Sequence, residues 1–287
     1  MANETISVVI AAYNEAETIG EIVKKAAKMP NVKEVIVVDD GSTDRTSEMA
    51  SQNGAIVIKH PYNIGNGASV RTGCERASGD IVVLMDGDGQ HDPGEMGKLT
   101  RLIGEYDMVV AARTSEYESS PVRRLGNLAL TKAATMVCNR KIEDLTSGYR
   151  AIKSDILKKF MHLFPTGYSY PTTITLSLLT SGYAVKYVKM DSISKREKGS
   201  SNIRIIKDGM FFLMTILRVM VLFDPLKIFL IPSVSITLFG VVWAISNIIF
   251  TRGIRATAVI FIIIGIFIFF FGILADQISN IRKELRR

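Results

Sequence analysis

The chain has 287 residues, 47% of them hydrophobic, and a formal charge of +7. That suffices for one or two packed domains, while Cys74 and Cys138, the only cysteines, have no metal-ligand spacing and fit a reducing compartment. Much of the positive charge flanks the apolar C-terminal runs, so contact with anionic lipid or a phosphate substrate is expected rather than nucleic acid.

In chain order, Ile6 to Ala12 is a β-rich run ending at Tyr13-Asn14-Glu15. The spacing of Ile19, Ile22, Val23 and Ala26 predicts a helix that stops before Pro30. Val35 to Val38 is a second strand closed by Asp39-Asp40-Gly41-Ser42-Thr43-Asp44, where Ser42 or Thr43 can cap the next helix. Ala55 to Ile58 predicts a third strand, followed by a loop through Gly65-Asn66-Gly67 and a helix to Ala77. Ile81 to Met85 is a fourth and Met108 to Ala112 a fifth, ending at Arg113. Strands alternating with helices predict an α/β, mostly parallel doubly wound sheet, whose ligands sit beyond the carboxyl ends of the strands. Tyr13, Glu15, Asp40, Asp88 and Arg113 fall there.

The fourth strand runs into Asp86-Gly87-Asp88-Gly89-Gln90-His91-Asp92-Pro93. Two carboxylates two residues apart, with the neutral oxygen of Gln90, suit a hard divalent cation that also holds a diphosphate. Gly87 and Gly89 permit the sharp turn. The plainer reading is an Asp-Gly turn with Asp92-Pro93 opening a helix. A dinucleotide-binding dehydrogenase is disfavoured, because Ala-Ala-Tyr-Asn-Glu stands where its glycine-rich turn would follow the first strand. A Walker phosphate loop is absent as well.

Beyond Pro225 the sequence changes character. Ile228 to Phe250 and Ala256 to Ala275 carry no charge, and each is long enough to cross a bilayer as a helix; a buried helical hairpin is the alternative. The five-residue Thr251–Arg255 turn makes them a hairpin, and the flanking Lys195, Arg196, Lys198, Arg204, Lys207, Arg218, Lys227, Arg282, Lys283, Arg286 and Arg287 outweigh Arg252 and Arg255. Both flanks, and the N-terminal domain, should therefore be cytoplasmic in a multi-pass protein of the cell membrane. Ile203, Ile205, Ile206, Met210, Phe211, Leu213, Met214 and Leu217 have the spacing of an interfacial helix. The expected organisation is a domain at 1–200, an interfacial segment at 201–225, a transmembrane hairpin at 226–276 and a basic tail at 277–287. Association of copies through the apolar spans is a further expectation.

Val9-Ile10-Ala11-Ala12-Tyr13-Asn14-Glu15, Val38 to Asp44, Asp86 to His91, Ala112-Arg113 and Thr146-Ser147-Gly148-Tyr149-Arg150 together resemble glycosyltransferase family 2. Their order and spacing are most similar to the polyprenyl-phosphate glycosyltransferases, the dolichyl-phosphate mannose and glucose synthases. The resemblance covers roughly residues 5–205 and departs where Ala11 replaces a proline and Asn202 a lysine. It implies a GT-A fold, Mg2+ or Mn2+, and inverting transfer of a sugar from a nucleotide donor, GDP-mannose or a UDP-hexose, to a polyprenyl or dolichyl phosphate.

On that resemblance Ala11, Tyr13, Glu15, Val38 and Asp40 form the nucleotide pocket. Asp86, Gly87, Asp88 and Gln90 follow, with Asp86, Asp88 and Gln90 on the metal and Arg113 on a phosphate oxygen. Arg123, Arg196, Lys198, Ser201 and Arg204 would hold the acceptor phosphate, although the last four also fit a positive-inside flank. Asp144 is a candidate base, a sugar-orienting group or a turn cap, since an ionised phosphate acceptor has little need of a base. A processive polysaccharide synthase is disfavoured, because Trp243, the only tryptophan, lies inside an apolar span. Intact metal and phosphate residues argue against an inactive nucleotide-sugar-binding scaffold.

Overall fold

The computed structural model describes residues 4–112, 131, 132, 134, 135, 138–167, 169–190, 214, 217, 218, 220–222, 225–251, 253 and 255–284. The chain forms two compact units, Met1–Ile216 and Leu217–Arg287.

In the first unit, β1 (Ile6–Ala12), α1 (Ile19–Ala27), β2 (Val32–Asp39), α2 (Thr46–Gln52), β3 (Ile56–Lys59), α3 (Asn66–Arg76) and β4 (Ile81–Asp86) alternate as the apolar runs predict. After them come α4 (Met96–Thr100), β5 (Met108–Ala112), β6 (Arg150–Lys153), α5 (Ser154–Phe160), α6 (Tyr170–Thr180) and β7 (Val185–Lys189). β1 is buried over its whole length and β4 over all but Asp86, which is why both read as continuous apolar runs instead of alternating ones. On α1, Ile19, Ile22, Val23 and Ala26 are the buried face, as their spacing predicts.

The described strands form one seven-stranded sheet in the order β3-β2-β1-β4-β6-β5-β7. β1 pairs in parallel with β2 and β4, β2 with β3, and β5 with β7. β6 runs antiparallel to both β4 and β5, so the sheet is mixed as well as mostly parallel. Two apolar layers cover it, one with Ile10, Ile19, Val37 and Met85, the other with Val9, Ile36, Leu84 and Ile174. Burying each such side chain stabilises the fold by about 1.5–3 kcal/mol before the entropy of ordering it is counted.

Capping before α2 differs from expectation. Ser42 and Thr43 point instead to the first loop, and Asp44 accepts from the Thr46 backbone N–H at 3.0 Å. The reason is local: Asp44 lies two residues before Thr46, the spacing at which a carboxylate closes an Asx turn. The loop before α3 is likewise shorter than read, because the helix already begins at Asn66.

The second unit contains α7 (Pro225–Thr251) and α8 (Ala256–Glu284), longer than the uncharged runs because polar and charged residues continue both helices. Pro225–Phe250 and Ala256–Ile281 are long and apolar enough to cross a membrane, and only 11% and 17% of their most apolar windows are buried. That outward apolar surface is unlike the core helix of a soluble domain. The helices approach closely at glycines: a Cβ at Gly265 would lie 2.8 Å from the Thr237 nitrogen, and one at Gly272 would lie 2.7 Å from the Phe229 Cβ. Small residues at such points let two apolar helices pack backbone to backbone. The interfacial helix expected in 201–225 lies largely outside the described residues.

Candidate active site

The order β3-β2-β1-β4 means that the chain leaves β1 toward one side of the sheet and returns in β4 on the other. A crevice opens beyond the carboxyl ends of two strands at such a switch point. Ala11 is in register with Val38 on one side and Asp86 on the other, so the loops after β1, β2 and β4 meet there. The Gly87 N–H donates to the Ala11 carbonyl at 3.0 Å and extends that pairing one residue past the strand.

The first two loops lock together. Asn14 adopts a left-handed φ of 55°, its N–H donates to the Ser42 hydroxyl at 2.9 Å, and its Oδ1 accepts from the Thr43 N–H at 2.9 Å. The Glu15 N–H donates to Thr46 Oγ1 and the Ala16 N–H to Asp44. With the backbone so fixed, Tyr13 stands 41% exposed in the loop that leaves β1.

Asp40 is only 4% exposed and accepts from the Ile64 and Gly65 N–H groups at 3.0 and 2.8 Å, with His60 Nδ1 at 2.8 Å. It therefore holds the loop that leads into α3. Val38 is fully buried in the core. Ala11 is also buried.

In the next loop Asp86 and Asp88 are half-buried, and Gly89 has a φ of 75° that only glycine adopts without strain. Asp88 Oδ1 accepts from the Gln90 N–H at 3.1 Å, and Asp86 Oδ1 accepts from Asn66 Nδ2 at 3.1 Å. Asp92 also accepts from the Gly94 N–H and opens the Pro93–Glu95 3-10 turn, so the plainer capping reading holds for Asp92-Pro93.

Among the described residues no cluster of three or more His, Cys, Asp or Glu forms a metal cage. Two carboxylates and an amide nonetheless fit Mg2+ or Mn2+, hard ions commonly bound by one or two carboxylates with substrate phosphates and water completing the shell.

The fourth wall is the segment Asp144–Tyr149. Asp144, 8% exposed, accepts from the Thr146 and Ser147 N–H groups, both at 3.0 Å, so it does cap a turn. Tyr170 donates to the Gly148 carbonyl at 3.4 Å, and burial together with the nearby Asp86 carboxylate pushes its pKa up and keeps it a donor. Arg150 begins β6 and is fully buried. It donates to the Pro171 carbonyl at 3.1 Å, to Thr175 Oγ1 at 3.0 Å and to the Ser147 carbonyl. Arg113, Arg123, Arg196, Lys198, Ser201 and Arg204 lie outside the described residues.

A metal-compatible carboxylate loop and an exposed aromatic ring at the switch point are matched by similarity over the same segment. Residues 7–161 match the model described as glycosyl transferase family 2. The chain belongs to glycosyltransferase family 2. Residues 224–281 match the GtrB C-terminal hairpin, so the two apolar helices are also a recognised module.

Within family 2, the chain is 27% identical over 312 residues to the undecaprenyl-phosphate 4-deoxy-4-formamido-L-arabinose transferase of Pectobacterium atrosepticum, covering 99% of this chain and 90% of that one. It is 31% identical over 184 residues to the UDP-N-acetylglucosamine–dolichyl-phosphate N-acetylglucosaminyltransferase of Methanococcus voltae, covering 55% of this chain and 73% of that one. The solved glucosyl-3-phosphoglycerate synthase of Mycobacterium tuberculosis superimposes with a TM-score of 0.61 at 25% identity, over 76% of this chain and 81% of that one. A structure of that synthase holding Mn2+, UDP-glucose and phosphoglyceric acid shares the fold with a TM-score of 0.60 at 22% identity.

Sequence reasoning singled out Tyr13, Glu15, Asp40, Asp86, Asp88, Gln90 and Asp144, and the fold gathers them in loops around the carboxyl ends of β1, β2 and β4 and ahead of β6. It passed over Asn66, Tyr170 and the role of Arg150. An arginine opening a buried strand directly after a glycine loop was the available signal for the last.

Proposed function

We propose that the chain transfers a single sugar, with inversion, from a nucleotide-sugar to a polyprenyl phosphate at the cytoplasmic face of a membrane. The observation that supports this most is the register of Ala11 with Asp86, which starts the loop carrying the exposed Tyr13 and the two-carboxylate loop from neighbouring strand ends, in a chain that also carries an apolar hairpin. The names of the undecaprenyl- and dolichyl-phosphate transferases it resembles end to end or in part support the same acceptor class. The organisation that goes with it is a catalytic domain at 1–200, an interfacial segment at 201–225, a membrane hairpin at 226–276 and a cytoplasmic tail.

In this reading the Tyr13 ring stacks on the nucleobase and Glu15 accepts from ribose or base, while Asp40 shapes the pocket by fixing the loop before α3. Asp86, Asp88 and Gln90 hold Mg2+ or Mn2+, which when bound neutralises the diphosphate and stabilises it as a leaving group. An oxygen of the acceptor phosphate, already ionised near neutral pH, attacks the anomeric carbon. The new carbon–oxygen bond forms as the bond to the donor diphosphate breaks, and the electron pair leaves with the nucleoside diphosphate. Arg113, Arg123, Arg196, Lys198, Ser201 and Arg204 serve the phosphate oxygens, and Asp144 shapes the sugar side of the pocket through its turn.

Screening GDP- and UDP-sugars against membranes carrying the protein and added polyprenyl phosphate tests the reading. Label entering lipid with wild type and not with Asp88→Ala is expected. Equal labelling by both would overturn it.

A further inference from the structure

The segment Asp144–Tyr149 is not itself a strand, and only its last residue touches the sheet, the Tyr149 carbonyl accepting from the Ala111 N–H of β5 at 2.9 Å, yet its backbone is tightly held. Its N–H groups at Thr146 and Ser147 turn back to Asp144. Its carbonyls point the other way: Leu145 accepts from Thr172 Oγ1 at 3.4 Å, Gly148 from the Tyr170 hydroxyl at 3.4 Å, and Ser147 from Arg150. All three donors belong to α6 or to a side chain tied to α6, because Arg150 also reaches the Pro171 carbonyl and Thr175 Oγ1. This explains an oddity of α6, which is buried at Tyr170 through Leu178 while carrying Thr172, Thr173, Thr175 and Ser177. Thr172 braces the strap directly and Thr175 through Arg150, whereas Thr173 Oγ1 donates back to the Ser169 carbonyl at 3.1 Å.

Arg150 is an expensive way to build that bracket. Its guanidinium is fully buried, its Nε has no hydrogen-bond partner among the described residues, and no described carboxylate forms an ion pair with it. A buried cation held mainly by neutral acceptors costs desolvation energy that a neutral tie would avoid. Burial accordingly pushes its pKa down, while Tyr170, Tyr187, Asp144 and Asp86 around it push the other way.

We propose that Arg150 is a positioning residue for sugar transfer: bracketed by α6, it fixes the Asp144–Tyr149 strap against Asp86 so that the donor-side and acceptor-side walls of the site form one rigid unit. This rests on the transfer reaction proposed above, with Asp86 on the donor diphosphate and the strap beside the sugar. The loop that carries Tyr13 and Glu15 is held by Ser42, Thr43, Asp44 and Thr46 and the strap by α6, so Arg150 governs the diphosphate and sugar end of the site, through Asp86, more than the nucleoside end.

The test is steady-state kinetics of the full chain in membranes, with the nucleotide-sugar that the wild type uses, for Arg150→Lys, Arg150→Met, Tyr170→Phe and Thr175→Val. Activity is normalised to folded protein measured by thermal unfolding. The expected result is a kcat at least about tenfold lower in Arg150→Met, lowered severalfold in Tyr170→Phe and Thr175→Val, and partly restored in Arg150→Lys, as lost hydrogen bonds to a charged group imply. Competition by the free nucleoside of that donor, which the loops after β1 and β2 would hold, should stay within about twofold throughout. If Arg150→Met does not fold, the two α6 variants decide. Unchanged kcat per folded molecule, or nucleoside competition weakened in step with kcat, would overturn the proposal. A wild type that transfers no sugar would instead overturn the function on which it rests.

Discussion

Gly148 and Asp86 meet with no room for a methyl group between them: a Cβ at Gly148 would lie 2.6 Å from Asp86 Oδ2 and 3.2 Å from the Tyr170 hydroxyl. Glycine is needed here for space, since its φ is not among the left-handed ones. Gly148→Ala must therefore displace either the carboxylate or the strap. Shifts below an ångström at a reacting site are costly, so transfer should fall about tenfold or more while the melting temperature moves by a few degrees. Sugar-transfer assays with parallel thermal unfolding check this, and a variant of normal activity would mean that the strap has slack.

Transfer should depend on a divalent cation. Asp88→Ala and Asp86→Ala should each lower kcat by about 100-fold or more, the scale of losing a main electrostatic stabiliser of the leaving group. Chelator should abolish turnover and added Mg2+ or Mn2+ restore it. Full turnover in excess chelator would remove Asp86, Asp88 and Gln90 from the metal role.

Acid should loosen the first unit partly through Glu34. Its Oε1 accepts from Ser7 Oγ at 2.6 Å and from the Ser78 N–H and hydroxyl, both at 2.8 Å. Burial pushes the Glu34 pKa up, but these hydrogen bonds and Arg76 outweigh it, and the net shift is downward. Glu34 thus stabilises the fold fully above its unfolded pKa of about 4.3, and that contribution fades as pH falls through the lower folded value. Glu34→Gln should cost about 1 kcal/mol at neutral pH and flatten the acid limb of the stability curve. Chemical denaturation followed by circular dichroism between pH 3 and 6 measures both.

Much of this was legible in the sequence, for a physical reason. β1, β4, β5 and the Val35–Asp39 part of β2 are buried on both faces, so they stand out as apolar runs, and ligand loops fall at their ends by topology. β6 escaped because Arg150-Ala151-Ile152-Lys153 is short and charged at both ends, and β7 because Val185–Lys189 is a half-exposed edge strand. The roles of Arg150 and Tyr170 depend on contacts between residues 21 to 25 positions apart in sequence, which no local pattern encodes. Asp40 was placed correctly at a strand end, yet its grip on Ile64 and Gly65 follows from β3 lying beside β2.

The apolar helices set the expected topology. A 26-residue helix extends about 39 Å at about 1.5 Å per residue, enough for a hydrocarbon layer of about 30 Å with some tilt. Gly253 should be on the far side of the membrane, with Asn3 and Arg287 cytoplasmic. Single cysteines at these positions, in a background lacking Cys74 and Cys138, should react with an impermeant thiol reagent in intact cells only at position 253. Labelling at 287 would reverse the orientation.

The most direct measurement is mass spectrometry of the lipid product formed from a nucleotide-sugar and polyprenyl phosphate by the purified chain. The expected product carries one sugar on an intact polyprenyl monophosphate, in anomeric configuration opposite to the donor, with one nucleoside diphosphate released per sugar transferred. A polymer, a sugar-phosphate added to the lipid, or product formed equally by Asp88→Ala would contradict it.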